Sequence, residues 1–312
     1  MSGRETTKET AAYWGYRAAE WLAMSLPERV GRSVFGWLGR TGYRRLHGVR
    51  ATVAANQAMV LGIEPSDERV RVATREAFEL YARFWFDAFR IRSMPVEEFN
   101  KRVVISGVEN IDRALEVGRG CVCVLPHMGN WDAAGHWFGA NGYRIAAVAE
   151  ELKPQRLFDL FLRHREELGM RIISLSKDGH VGQQLKQLLS ENWLIALVAD
   201  RDLTGRGVEV EMFGAARRVP AGPALLALTA KSPLIVCSVY TLDDGWEVRI
   251  GEALAFEPTG VIRDDVAKLS SLMAERFERA VSAKPTDWHM FQRAWDEPAP
   301  SFDGSGTAAD AG

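Results

Sequence analysis

Beyond Pro95 the chain keeps returning to short runs rich in Val, Ile, Leu and Ala, separated by stretches with helical spacing. The runs are Gly120–Leu125, Arg144–Ala149, Met170–Leu175, Trp193–Ala199, Val208–Met212, Leu234–Tyr240 and Trp246–Ile250. Between them lie helix candidates. Pro154–Leu168 has its proline in the first turn and Gly169 just past its end, and Gly222–Lys231 opens on Pro223. Another, near Asp264–Ala283, sets Val266, Leu269, Met273, Phe277 and Ala280 on one face. Strands that alternate with helices can bury their apolar faces only in a layered α/β arrangement. The expected fold is therefore a mostly parallel central sheet of about seven strands flanked by helices, with a helical N-terminal region.

That N-terminal region has its own pattern. Ser66-Asp67-Glu68 reads as a helix start, with a capping hydroxyl followed by acids in the first turn. Val70, Ala73, Ala77, Tyr81, Phe84 and Ala88 then recur at spacings of three and four. Phe78, Trp85, Phe86 and Phe89 make the second half apolar around most of its circumference, so protein or lipid acyl chains must cover it. The expected organisation is a helical membrane-association region over 1–100 packed on the core, an α/β catalytic core over 101–297, and a disordered Gly/Ala/Asp/Ser/Pro-rich tail over 298–312.

Composition narrows the partners. A net charge of -2 argues against a dedicated nucleic-acid binder. Locally the picture differs: Arg29, Arg32, Arg40, Arg44, Arg45 and Arg50 span a stretch with no acidic residue, and Tyr13, Trp14, Trp21, Trp37 and Tyr43 precede or interleave them. Such a pattern suits an anionic membrane surface, and equally a solvated basic face with core aromatics. No charge-free run approaches the ~18–20 residues that cross a bilayer, and no secretory h-region with a cleavage site is present. A protein of this kind that meets lipid is expected to lie on the membrane. Cys121, Cys123 and Cys237 fall inside apolar runs and read as small core side chains in a reducing compartment.

The strongest local feature is Cys121-Val-Cys-Val-Leu-Pro-His127-Met-Gly-Asn-Trp-Asp132, where a strand ends at Pro126 and the chain turns towards a helix. Ligands collect at the carboxyl ends of strands in open α/β sheets, so His127 is a candidate general base. Asp132, folding back from the first helical turn, would fix the imidazole tautomer. Along Pro154–Leu168, Arg165 shares a face with Phe158, Phe161 and Leu162, which calls for an anion: the Glu150 carboxylate, or a lipid phosphate. Asp200 and Asp202 end the apolar run Trp193–Ala199 at the same sheet edge as His127. They could orient His127 or bind sugar hydroxyls, or form a polar turn with Arg201 and Arg206. The helix opening at Gly222-Pro223 is a weak phosphate-site candidate.

His127-Met-Gly-Asn-Trp-Asp132 resembles the H-x4-D motif of the glycerolipid acyltransferase superfamily, and in particular the lipid A biosynthesis acyltransferase branch. Further blocks are similar in order: Glu150-Glu151 through Arg165-Glu-Glu-Leu-Gly169; Asp200-Arg-Asp202 through Gly207-Val-Glu-Val-Glu-Met-Phe-Gly214 and Pro220-Ala-Gly222; and Pro285-Thr-Asp-Trp288 with Phe291 and Arg293. The chain lacks that branch's usual membrane-spanning first helix, and Ala199-Asp-Arg-Asp-Leu203 departs from its acidic block. Both departures look more like phosphatidylinositol mannoside acyltransferases, peripheral enzymes of the cytoplasmic leaflet of the cell membrane.

The resemblance implies palmitoyl-coenzyme A as donor, a mannose hydroxyl of a membrane glycolipid as acceptor, and no cofactor or metal. His127 and Asp132 then stand as the catalytic pair, with Glu150, Arg165, Asp200, Arg201 and Asp202 as substrate-binding residues. The expected reaction is direct transfer with no covalent intermediate, the oxyanion held by N–H groups of the turn after His127. A lipid A precursor or a lysophospholipid is the alternative acceptor. Rival readings are a serine esterase, for which no G-x-S-x-G elbow exists; a metallohydrolase using His127, Asp132 and His136; and a non-catalytic peripheral lipid-binding protein.

Overall fold

The computed structural model describes residues 5–175, 180–202 and 205–295. The chain opens with helices α1 (Thr7–Ser25), α2 (Glu28–Arg45), α3 (His47–Leu61), α4 (Glu68–Ile91) and α5 (Val96–Lys101). There follow β1 (Val103–Ser106), α6 (Val108–Glu116), β2 (Cys121–Leu125), α7 (Trp131–Ala140), β3 (Ile145–Glu150), α8 (Gln155–Glu167), β4 (Met170–Leu175), α9 (Val181–Ser190) and β5 (Leu194–Val198). The last elements are β6 (Val208–Met212), β7 (Ala215–Val219), α10 (Gly222–Ala230), β8 (Leu234–Leu242), β9 (Gly245–Ala253), α11 (Ile262–Ala283) and a 3-10 turn over Pro285–Asp287.

The expected α/β class holds: a seven-stranded sheet runs in the order β1-β9-β8-β2-β5-β3-β4, and its pairings are parallel except that of β8 with β9. Central β2 is buried at all its positions, which is why Cys121–Leu125 reads as an unbroken apolar run. Its side chains alternate between two cores. Val122 and Val124 join Leu188, Ala227 and Phe277, whereas Cys121, Cys123 and Leu125 join Ala133, Phe138 and Phe99 on the other face.

One strand expected in the sheet lies elsewhere. Val208–Met212 pairs with β7 as a separate antiparallel hairpin, and one edge of the sheet is β1, which is not among the expected runs. The reason lies in the burial patterns. Val208–Met212 alternates apolar side chains with exposed Glu209 and Glu211, the mark of a half-covered hairpin. β1 is four residues long with Val103 alone buried, too short to show a period.

The N-terminal helices pack tightly. The cap of α4 is Asp67 and not the expected hydroxyl of Ser66: the Asp67 side chain accepts from the Arg69 amide at 2.8 Å. Its apolar second half is covered by protein, with Phe86 and Phe89 meeting Ala23 of α1 and Phe35 of α2. Close approach of α2 depends on glycine, because a Cβ at Gly39 would lie 2.6 Å from the Phe78 carbonyl oxygen. The tail expected over 298–312 lies outside the described residues. Gly39→Val is expected to push α2 off α4 at a cost of about 1–3 kcal/mol, measurable as a lowered urea midpoint; an unchanged midpoint would contradict this packing.

Candidate active site

Two neighbouring parallel strands send the chain in opposite directions. From β2 the chain proceeds through α7 to β3, beyond β5; from β5 it proceeds to β8, beyond β2. A crevice opens at the carboxyl ends of strands where connections diverge in this way. Register fixes what meets there. Leu125 pairs with Val198, so the residues two positions further on, His127 and Asp200, arrive side by side.

They are bonded twice. His127 Nδ1 lies 2.5 Å from Asp200 Oδ1, and the His127 amide donates to Oδ2 at 3.0 Å. Trp288 Nε1 donates to the same Oδ2 at 2.7 Å, and the Arg217 guanidinium donates to the Asp200 carbonyl at 2.5 Å. Asp200 is wholly buried. Burial alone would push its carboxyl up, but the charge and hydrogen bond of His127, the Trp288 N–H and the charge of Arg217 outweigh it. The group is held well below the usual carboxylate range. A carboxylate on Nδ1 keeps the proton there and leaves Nε2 as the acceptor. No hydrogen bond engages Nε2 among the described residues, and the side chain is 21% exposed.

The turn carrying His127 is pinned by the C-terminal segment. Gly129 donates its amide to the Asp287 carbonyl at 3.0 Å, and the His289 amide donates to the His127 carbonyl at 2.6 Å. His289 Nε2 also bonds the Gly129 carbonyl at 3.1 Å. Gly129 has φ +56, and a Cβ there would sit 2.2 Å from the Val239 carbonyl oxygen, so no other residue fits. Asn130 caps α7 by accepting from the Ala133 amide at 3.1 Å.

Of the carboxylates expected as possible partners of the His127 ring, Asp200 takes that place and Asp132 does not. Asp132 stands in the first turn of α7 as foreseen, but its Oδ1 accepts from Arg165 Nε at 2.8 Å, while Asp200 takes His127 Nδ1. Arg165 finds its anion in Asp132. Burial opposes its charge, and the Asp132 carboxylate more than offsets that. Glu150, the other carboxylate considered for Arg165, pairs at 3.6 Å with Arg201. Asp202 accepts from the Gly207 amide at 2.6 Å. His136, the third ligand of the metal reading, is buried against the Leu168 carbonyl at 3.0 Å.

Asp132 and Arg165 are the charged residues lining a cavity between the sheet and α7. Its walls are otherwise apolar, with Phe138, Met170, Ile172, Cys123 and Cys237 among them. Trp131 lines it too and meets the His127 ring edge-on, centroids 5.5 Å apart. The apolar space therefore begins beside the candidate base. Trp288 and Arg217 were missing from the candidate residues. Trp288 stands in the C-terminal block Pro285–Trp288, whereas nothing in the sequence around Arg217 marks it.

His289 yields a pH dependence. Burial holds its imidazole down to about 3, helped by the charge of His127 and opposed by the Gly129 bond. An unfolded imidazole takes its proton near ~6.5. Below that pH the unfolded chain binds a proton that the folded one refuses, so this group costs stability as pH falls from 6.5 towards 3, up to about 4 kcal/mol. His289→Gln is expected to flatten the fall in the urea midpoint between pH 6.5 and 4; a curve parallel to that of the unmodified protein would contradict it.

A family model described as bacterial lipid A biosynthesis acyltransferase matches residues 3–297. The phosphatidylinositol mannoside acyltransferase of Mycolicibacterium smegmatis is 34% identical over 296 residues, covering 95% of each chain. Proteins of the same name from two strains of Mycobacterium tuberculosis are 36% and 35% identical over 298 residues, covering 94% of this chain and 91% of theirs. With a family model that matches almost from end to end and relatives aligned over nearly their whole length, the chain belongs to the bacterial lipid A biosynthesis acyltransferase family.

Proposed function

We propose that this acyltransferase moves a long-chain fatty acyl group from acyl-coenzyme A to a hydroxyl of a membrane glycolipid, a mannose of a phosphatidylinositol mannoside. The observation that carries the reading is an imidazole with an ionised carboxylate behind it and an open Nε2 in front, beside an apolar cavity. The three relatives named for that glycolipid support the acceptor class.

His127 Nε2 takes the proton of the acceptor hydroxyl as its oxygen attacks the thioester carbonyl carbon. The tetrahedral intermediate collapses to the ester, and the departing thiolate takes the proton from His127, leaving free coenzyme A and a neutral imidazole. In the turn after His127 two donors are occupied, Met128 by the Pro126 carbonyl at 2.7 Å and Gly129 by Asp287. The oxyanion donors therefore belong one step on, at the first turn of α7, where Trp131 and Asp132 amides lack intrahelical acceptors. The acyl chain occupies the apolar cavity, each buried methylene contributing about 0.8 kcal/mol. Glu150, Arg201 and Asp202 face the glycolipid headgroup.

The membrane reading rests on exposure. Trp14, Trp21 and Trp37 are 60, 69 and 58% exposed on α1 and α2, and Arg29, Arg44 and Arg45 are exposed with them. Tyr43 instead packs on Phe78, and Tyr13 lies under Arg156. No helix among the described residues is long and apolar enough to cross a membrane. The protein accordingly lies on the anionic cytoplasmic face, its tryptophans at the headgroup level and its arginines on lipid phosphates.

Labelled palmitoyl-coenzyme A is to be offered with phosphatidylinositol mannosides, a lipid A precursor and lysophospholipids, and the products identified by mass spectrometry. Acylation of the mannoside is expected; transfer to another acceptor alone, or no coenzyme A release with any, refutes the reading. His127→Ala should lower the rate at least about a hundredfold with the fold intact, and retention of most activity would sink the base assignment. Replacing Trp21 and Trp37 together with Ala should weaken sedimentation with phosphatidylinositol-containing vesicles about tenfold or more, whereas unchanged binding would place the membrane face elsewhere.

A further inference from the structure

Asp200 is gripped at both ends by residues that come from distant parts of the chain and have no place in the proposed chemistry. Trp288, 1% exposed, sends its indole N–H to Oδ2, the oxygen that does not hold the imidazole. Arg217, also buried, holds the backbone carbonyl of Asp200. Its guanidinium carbon lies 5.6 Å from the Trp288 ring and 5.2 Å from that of Trp295. The three groups therefore brace one another: Arg217 packs against the ring that bonds the carboxylate whose backbone it anchors.

The arrangement is costly. A buried guanidinium loses its hydration, and Arg217 Nε has no hydrogen-bond partner. A hydrophobic side chain could fill the same volume without that loss. What the brace provides is a fixed carboxylate. Without the indole bond, Asp200 could rotate about its χ2 torsion, a broad two-fold well for Asp, and still keep one contact to His127. The imidazole would then swing, and tenths of an ångström at a general base matter to rate.

We propose that Trp288 and Arg217 are positioning residues that lock the Asp200 carboxylate so that His127 presents Nε2 to the reacting hydroxyl. The claim rests on the transferase reading for its kinetic consequence, but its geometry can be read without any lipid. Trp288→Phe keeps the ring and removes the donor. It is expected to lower kcat about ten- to a hundredfold, the range for losing one hydrogen bond to a charged group, with KM little changed. In an Asp200→Asn background the same substitution should add almost nothing, because the locked charge is already gone.

The independent readout is the low-field proton resonance of the His127 Nδ1–H, assigned by its loss in His127→Ala. In Trp288→Phe it should shift upfield or broaden through exchange. A resonance that stays in place with kcat within about twofold, or an equal loss of kcat in both backgrounds, overturns the proposal in favour of plain packing. Should Trp288→Phe fail to fold, a benzothienylalanine at 288, which has the indole shape with sulfur in place of N–H, replaces it and is read the same way. If the unmodified protein transfers no acyl group, the function fails while the resonance still decides the positioning.

Discussion

The buried carboxylate of Asp200 is the constraint around which the rest is arranged. An ion of this size cannot stay charged inside a protein unless donors replace the water it has lost. Here they come from the turn after β2, which gives the His127 amide and ring, and from the C-terminal segment, which gives Trp288, while Arg217 of β7 adds a positive charge. None of these pieces is close to Asp200 in sequence. The site exists only when the sheet, the β6–β7 hairpin and the segment after α11 have all docked, which ties assembly of the base to completion of the fold.

A second polar system links the same region to the N-terminal helices. Arg165 of α8 holds Asp132, and the residue before it, His164, bonds Glu20 at 2.9 Å and Tyr16 at 2.9 Å, both on α1. Burial lowers the affinity of His164 for a proton, and the Arg92 charge adds to that. Tyr16 also touches Phe89 of α4 and Phe161 of α8. α1 thus shows tryptophans outward and a polar, ring-rich face inward, against the helix that carries Arg165. The exposed tryptophans and the helix that carries Arg165 are thus two sides of one packed layer.

Much of this was legible in the sequence. Unbroken apolar runs gave the parallel strands because those strands are covered on both faces, and His127 could be placed because Pro126 ends a strand ladder. Which carboxylate partners it, Asp132 or Asp200, was left open by the sequence. Asp132 is near in sequence, but helix geometry carries it to Arg165. Asp200 is near in space only through the pairing of β2 with β5, a neighbourhood that strand order along the chain does not reveal. One clue was present: both strands are followed, two residues on, by a polar group that can meet in register. Trp288 and Arg217 had no such signal, since their role depends on where a terminal segment and a hairpin come to rest.

The separation of the two carboxylates has a chemical consequence. In the proposed transfer, a thioester carbonyl entering beside His127 would develop negative charge on its oxygen, and an unpaired Asp132 lining the cavity would repel it. Binding Asp132 to Arg165 offsets that charge. Asp200, by contrast, keeps its charge behind the imidazole, where the proposed proton transfer would raise a positive charge. One aspartate is neutralised where anion builds, and the other stays ionised where cation builds. Exchanging their partners would turn both fields against the reaction.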